Sequence, residues 1–83
     1  MPEQEIYERL NAIFNDLFDR DDIVLSRETS QADIDGWDSM RMIDIVLAIE
    51  SQLGVRFTTA EVEKIETAGD IATLIGRKLA SPG

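Results

Sequence analysis

Apolar residues recur at intervals of three and four along three separate segments of this chain, and that spacing gathers them on one face of an α-helix. In chain order the three sets are Ile6, Leu10, Ile13, Phe14 and Leu17; Met42, Ile45, Val46, Ile49 and Leu53; and Ile71, Leu74, Ile75 and Leu79. The pattern predicts helices over residues 3–18 and 38–53, and a last helix that begins at Thr67 and is stopped by Ser81-Pro82-Gly83.

A shorter helix is predicted ahead of the last one. Thr58-Thr59-Ala60-Glu61 has the spacing of a capping box, and we expect the helix that it opens to end near Ile65, with Val62 and Ile65 pointing inward. No segment shows the two-residue period of a β-strand. The predicted fold class is therefore all-α, a small four-helix bundle in a single domain over residues 1–83, with its core between residues 3 and 79.

The connection between the first two helices is long for so small a domain. Residues 19–37 have no sustained period and are rich in Asp, Arg, Ser and Thr. Connections beyond about 12–15 residues usually carry a function or their own anchors. We predict an anchored loop whose apolar residues dock on the core, namely Ile23, Val24, Leu25 and Ile34.

Composition excludes most kinds of catalytic site. The chain has 83 residues with no cysteine and no histidine, so it has no thiolate nucleophile, no imidazole base and none of the usual zinc ligands. A core of this size leaves no room for a substrate cleft that is closed on all sides. We expect neither catalytic residues nor a metal site.

Charge and hydropathy narrow the range of partners. The 17 acidic and 8 basic side chains give a net charge of −9, which opposes binding to nucleic acids and anionic membranes and favours partners with basic patches. No apolar run approaches the ~20 residues of a membrane span, and the first residues lack the features of a secretory signal. We therefore expect a cytoplasmic protein without membrane insertion, and a monomer because like charges repel.

The second helix has more apolar residues than one buried face can use. Met40, Ile43 and Leu47 lie outside its core stripe, on a flank that also carries Asp44. Two interpretations stay open from the pattern alone. Either the flank is a contact surface for a partner, or the helix is central and buried on both sides.

The start of this helix is the candidate for chemistry. Ser39 lies in the first turn, where free backbone N–H groups and the helix dipole favour a phosphate group on its hydroxyl. Asp38 precedes it and suits either a helix cap or a ligand of a divalent ion. Taken alone, Asp and Ser at this position are more often simple caps.

A longer match gives these residues a family context. Gly36 and Asp38-Ser39-Met40, followed by residues 41–50, resemble the Asp-Ser-Leu signature and second helix of the acyl carrier proteins and their thiolation-domain relatives. The resemblance continues through Leu53-Gly54-Val55-Arg56-Phe57, the stretch from Thr59 to Ile65 and the threonine-capped last helix. It covers nearly the whole chain.

The resemblance implies a carrier rather than an enzyme. Ser39 would be the attachment point for 4'-phosphopantetheine, transferred from coenzyme A by a magnesium-dependent phosphopantetheinyl transferase. The arm would supply the thiol that this sequence lacks and hold acyl or aminoacyl intermediates as thioesters for loading ligases, synthases and transferases with basic docking patches. The residues implied at the partner surface are Met40, Arg41, Ile43, Asp44, Leu47 and Glu50.

The sequence departs from the family pattern beside the serine. Met40 replaces the usual leucine, a change of similar volume. Arg41 is positive where carriers of fatty acid synthesis tend to be acidic. With the Gly36-Trp37-Asp38-Ser39 form, this favours a free-standing carrier of a specialised pathway such as polyketide, nonribosomal peptide or aminoacyl transfer.

Two other classes of function fit part of the sequence. Residues 31–42 resemble an EF-hand calcium loop, but Gln31 and Met42 stand at its first and last ligand positions, where carboxylates are needed. An unmodified acidic helical protein-interaction module would use the Met40, Ile43 and Leu47 flank without needing Ser39.

Trp37 is interpreted as a hydrophobic staple rather than a guide for the arm.

Overall fold

The computed structural model describes residues 1–80. Its helices are α1 (Glu3–Leu17), α2 (Ser39–Leu53), α3 (Thr59–Glu63) and α4 (Ala68–Ala80), and the long connection contains a 3₁₀ turn at Gln31–Asp33. Helix α1 packs against both α2 and α4. The described residues form no β-strand, and the all-α four-helix class is confirmed. The predicted stop at Ser81-Pro82-Gly83 lies outside the described residues.

Local sequence sets the helix boundaries. The Asp38 carboxylate accepts a hydrogen bond from the Arg41 N–H at 2.8 Å and so caps the start of α2. Gly54 ends that helix in the left-handed conformation, at φ 70°, with its N–H bonded to the carbonyl of Glu50. The capping box at α3 is confirmed, since Thr58 and Glu61 bond to each other's backbone N–H groups at 2.8 and 3.1 Å.

Two helices end earlier in the structure than the sequence predicts. Helix α1 ends at Leu17, with Phe18 as its cap. Helix α3 ends at Glu63 and not near Ile65, because the N–H groups of Lys64 and Ile65 bond only three residues back, to Glu61 and Val62, in a tight final turn.

The predicted helical stripes form one core. Phe14 has no exposed surface and meets the Trp37 ring edge-on, with ring centroids 5.0 Å apart. Leu53, Leu74 and Leu79 are only half-buried at its margin. The largest fully buried side chains are Leu10, Ile13, Phe14, Ile45, Ile49, Ile71 and Ile75.

The long connection is anchored, as predicted, with one exception. Ile23, Leu25 and Ile34 are buried, but Val24 is 80% exposed. The prediction for Val24 was wrong because buried and exposed side chains alternate from Ile23 to Leu25, and Val24 is on the exposed side. Asn15 of α1 fixes the segment by accepting a hydrogen bond from the Ile23 N–H and donating one to the Ile23 carbonyl.

The connection is also joined to the start of α4. The N–H of Ala68 bonds to the carbonyl of Thr29 at 2.8 Å, and the N–H of Gly69 bonds to the carbonyl of Arg27 at 3.1 Å. The first N–H groups of a helix have no backbone acceptor within the helix. Here the loop supplies carbonyl acceptors for two of these N–H groups.

Candidate functional site

The residues just before α2 fix the position of its first turn. Trp37 is buried, and its indole Nε1–H points at the Met42 sulfur, 3.4 Å away. These two residues flank the cap at Asp38 in the spacing of a hydrophobic staple, which confirms that interpretation of Trp37. These contacts fix the first turn of α2 against the core, and they fix the position of Ser39 as well.

Ser39 is the first residue of α2, and its side chain is exposed. The N–H groups of Ser39 and Met40 lie in the first turn, where an α-helix provides no backbone acceptor, and the helix dipole adds positive potential. An exposed hydroxyl in this environment suits esterification to a phosphate group, whose oxygens can accept from free N–H groups.

A ridge of three apolar side chains follows the serine along α2. Met40 is 79% exposed, and Ile43 and Leu47 are each 58% exposed. We call these three residues the apolar ridge. The alternative that α2 is buried on both sides is therefore wrong. Among the described residues, nothing covers the ridge.

The acidic residues near the ridge accept hydrogen bonds from other groups of the chain. Asp38 caps α2, and Asp44 accepts a hydrogen bond from the Arg41 guanidinium at 3.2 Å. Glu50 is half-buried, and its carboxylate accepts from the backbone N–H of Phe57 at 2.9 Å. Glu50 is one of the residues that the family resemblance implies at the partner surface, and its position shows that it fixes the connection between α2 and α3.

Arg41 has a second neighbour that the sequence did not indicate. Its guanidinium stands over the Phe18 ring, 5.8 Å from the centroid. Gly36, at φ 90°, runs close to the same ring, so that a Cβ there would lie 3.5 Å from it. Phe18 joins the end of α1 to the start of α2, a contact between residues too far apart in sequence for a periodic pattern to reveal.

The Asp33 carboxylate of the EF-hand-like segment is engaged in turn formation. Asp33 accepts from the N–H and hydroxyl of Ser30, which closes the 3₁₀ turn. Within residues 1–80, no cluster of three or more His, Cys, Asp or Glu side chains could hold a metal ion.

Comparison with known proteins agrees with this geometry. The family model described as phosphopantetheine attachment site matches residues 8–75. The acyl carrier protein of Thermotoga maritima is 34% identical over 76 residues, which cover 92% of this chain and 94% of that protein. The acyl carrier protein of Thermosynechococcus vestitus is 31% identical over 81 residues, covering 98% and 100%. This chain belongs to the acyl carrier protein family.

The fold of a solved family member leads to the same conclusion. The solution structure of a holo acyl carrier protein from Geobacter metallireducens superposes with a TM-score of 0.84 at 40% identity and covers 90% of this chain and 86% of that one. As a family member, the chain is a carrier with covalently attached 4'-phosphopantetheine. It is a substrate of a phosphopantetheinyl transferase and not itself a catalyst.

The residues at the start of α2 fit that group. They combine an exposed hydroxyl with free first-turn N–H groups for the phosphate, and the apolar ridge lies beside it. Over residues 1–80, none of the helices has the length and hydropathy needed to cross a membrane.

Proposed function

We propose that Ser39 carries the phosphopantetheine arm and that Asp38 fixes its position by capping α2. The observation that carries the proposal is an exposed hydroxyl at the positive end of a 15-residue helix. When bound, the arm supplies the thiol on which acyl or aminoacyl groups are held as thioesters.

The other serines in the matched segment are less suitable. The hydroxyl of Ser26 bonds to Thr29 at 3.0 Å, and that of Ser30 bonds to Asp33 at 3.2 Å. Ser51 is exposed but lies near the end of α2, where the helix dipole disfavours an added anion. Only Ser39 combines exposure with a helix start.

We further propose that the flank of α2 beside Ser39 contacts partner enzymes. These are the phosphopantetheinyl transferase and the ligases, synthases or transferases that load and use the carrier. The net charge of −9 favours enzymes with basic patches and a monomeric carrier. We propose that the carrier acts in the cytoplasm. The core runs from Ile6 to Ile75, which supports one carrier domain over residues 1–83. The proposed partner surface consists of Met40, Arg41, Ile43, Asp44, Leu47 and Glu50.

Intact-protein mass spectrometry tests the attachment site. The chain is incubated with coenzyme A, magnesium and a broad-specificity phosphopantetheinyl transferase, beside Ser39→Ala and the control Ser51→Ala. We expect one phosphopantetheine adduct on the native chain and on Ser51→Ala, and none on Ser39→Ala.

Two results would contradict the proposal. An adduct that persists on Ser39→Ala would place the attachment elsewhere. A folded native chain that takes no adduct would favour the unmodified interaction module, which uses the same apolar ridge without Ser39.

A further inference from the structure

Met40 is the one side chain of the apolar ridge that a mild oxidant can change. The chain has no cysteine, so the thioether sulfurs of its three methionines are its most readily oxidised groups. Ile43 and Leu47, the other residues of the ridge, have hydrocarbon side chains that peroxide leaves intact. Oxidation turns the flexible apolar side chain of methionine into a polar one. The apolar character of the ridge therefore depends in part on the oxidation state of one sulfur atom.

The three methionines differ widely in their exposure. Met40 is 79% exposed, whereas Met42, two residues later in α2, is only 4% exposed. The Met42 sulfur also accepts the indole N–H of Trp37, so it is held against the core. Met1 is 47% exposed, and it lies beside Ala72 of α4 rather than near the ridge. Of the two methionines in α2, only Met40 is open to an oxidant in solution.

Met40 is also next to the proposed attachment point. Ser39 and Met40 are consecutive residues in the first turn of α2, and both are exposed. An enzyme that brings coenzyme A to the Ser39 hydroxyl must place its contact face against this turn. Because consecutive residues of a helix are only about 1.5 Å apart along its axis, that face also meets Met40. A change in the polarity of Met40 is therefore felt by any enzyme that acts on Ser39.

Resting on the proposed function, we infer that Met40 is an oxidation site, and that its oxidation by hydrogen peroxide slows the enzymes that act at Ser39. The sulfur lone pair of Met40 forms a bond to one peroxide oxygen, the O–O bond breaks, and the other oxygen leaves as water. The sulfur is oxidised and the peroxide is reduced. The product is methionine sulfoxide, and its polar S=O group loses free energy when it is buried in an apolar contact.

The reaction at Met40 can be reversed. Methionine sulfoxide reductases, one for each sulfoxide epimer, return the sulfoxide to the thioether. In that step a dithiol is oxidised to a disulfide, and the sulfoxide oxygen leaves as water. The leucine of the family signature has no sulfur and cannot respond in this way. Met40 would thus make the loading of this carrier sensitive to peroxide.

Peptide mass spectrometry of the folded apo chain tests where oxygen is added. The apo chain is used because the arm contributes a thiol, which peroxide also attacks. The chain is treated with increasing amounts of hydrogen peroxide, catalase removes the excess, and fragmentation locates the added oxygen. We expect Met40 to gain one oxygen well before Met42 does, while the circular dichroism spectrum stays unchanged.

The rate of phosphopantetheine transfer tests what the oxidation does. We expect the kcat/KM of a phosphopantetheinyl transferase for the oxidised native chain to be lower by roughly tenfold than for the untreated chain. Treatment with both sulfoxide reductases should restore it. The matched control is Met40→Leu, which keeps a similar volume and has no sulfur. Its kcat/KM should be close to that of the native chain and should not change with peroxide, although Met1 is still oxidised.

Three results would overturn the inference. The first is that Met42 gains oxygen as readily as Met40. The second is that Met40 is oxidised and kcat/KM does not change. The third is an equal loss of kcat/KM in the native chain and in Met40→Leu, because the loss would then come from another residue.

The variant Ile43→Ser distinguishes these failures from a failure of the proposed function. On the untreated chain it removes an apolar contact from the ridge without involving sulfur. If Ile43→Ser lowers kcat/KM and oxidation of Met40 does not, the partner surface stands and the oxidation site is rejected. If neither change lowers kcat/KM, the partner surface is itself wrong, and the inference fails with it. Absence of any adduct on the folded, untreated native chain would be a failure of the attachment at Ser39.

Discussion

Two segments of the chain differ in how firmly they are attached to the core, namely the long connection between α1 and α2 and the short helix α3. The difference is the opposite of what their secondary structure suggests. The connection has little regular structure, yet Ile23, Leu25, Ile34 and Trp37 are buried. Helix α3 is regular, yet none of its five residues is buried. Burial, and not helical hydrogen bonding, decides which of the two segments is firmly attached to the core.

The contacts that hold the two segments differ in kind. The connection is tied by bonds to its backbone, from the Asn15 side chain and from the start of α4. Helix α3 is tied by a side-chain clamp, in which the Lys78 ammonium contacts both Glu61 carboxylate oxygens, at 2.8 and 3.0 Å, and lies 5.3 Å from the Phe57 ring centroid. The firmly held segment is the one that leads to Ser39, so the proposed attachment point has a fixed place on the protein.

The largest effect expected from this comparison is that of Trp37→Ala. Removing a buried aromatic side chain in contact with Phe14 and Met42 should lower the free energy of unfolding by about 3–5 kcal/mol. Since small domains have only about 5–15 kcal/mol in total, the variant should be close to unfolding at ambient temperature. Urea unfolding followed by circular dichroism measures the loss.

The matched change on the other segment is Val62→Ala in α3, where the side chain is only half-buried. Its loss should be on the order of 1 kcal/mol. Equal losses in the two variants would show that α3 is held as firmly as the connection, and the comparison would fail.

An effect smaller than that of Trp37→Ala is expected where the connection meets α4. A Cβ on Gly69 would lie 2.6 Å from both the carbonyl oxygen and Cγ of Arg27. The loop backbone would have to move, so Gly69→Ala should lower stability by roughly 1–3 kcal/mol. Urea unfolding again provides the measurement.

Gly76 in the same helix is the control. A Cβ there meets only the Ile6 side chain, at 3.9 Å. Because alanine favours helix over glycine, Gly76→Ala should raise stability by about 0.5–1 kcal/mol. If both alanine variants were more stable, the connection would not be closely packed against α4.

The sequence predicted those parts of the fold that depend on local patterns. Periodic spacing predicted the apolar stripes of α1, α2 and α4, and a four-residue motif predicted the capping box at Thr58. Each is present in the structure. The exposed ridge was foreseen because Met40, Ile43 and Leu47 fall outside the core stripe. Val24 was misplaced because its segment has no regular pairing, and so it gives no register from which its outward side can be read.

Contacts between distant residues were outside the reach of local patterns. Nothing in the sequence pairs Arg41 with Phe18, or Glu50 with the N–H of Phe57. Both contacts change how the site is understood, because they show which charges of α2 are engaged within the chain. The assignment of Ser39 came from the family resemblance, since serine at a helix start is by itself usually a cap.

The smallest expected effect concerns the clamp on α3. Hydrogen bonding to Lys78, followed by the Thr58 N–H, holds the pKa of Glu61 below its ordinary value of 4.5. A carboxylate with a depressed pKa stabilises the fold while it is ionised. Its contribution is therefore present above the ordinary pKa and is lost as the pH falls through the depressed one.

Glu61→Gln should accordingly lower Tm slightly near neutral pH, and the difference from the native chain should shrink as the pH falls below 4.5. Thermal unfolding across this range measures it, with Glu63→Gln in the same helix as the control. Comparison with the native chain is essential, because Asp22, whose pKa is lowered by Arg20, loses its own contribution in the same acid range. No difference near neutral pH, or a difference that stays constant with pH, would mean that ionisation of Glu61 does not stabilise the fold, and α3 would then be held without help from the charge of the clamp.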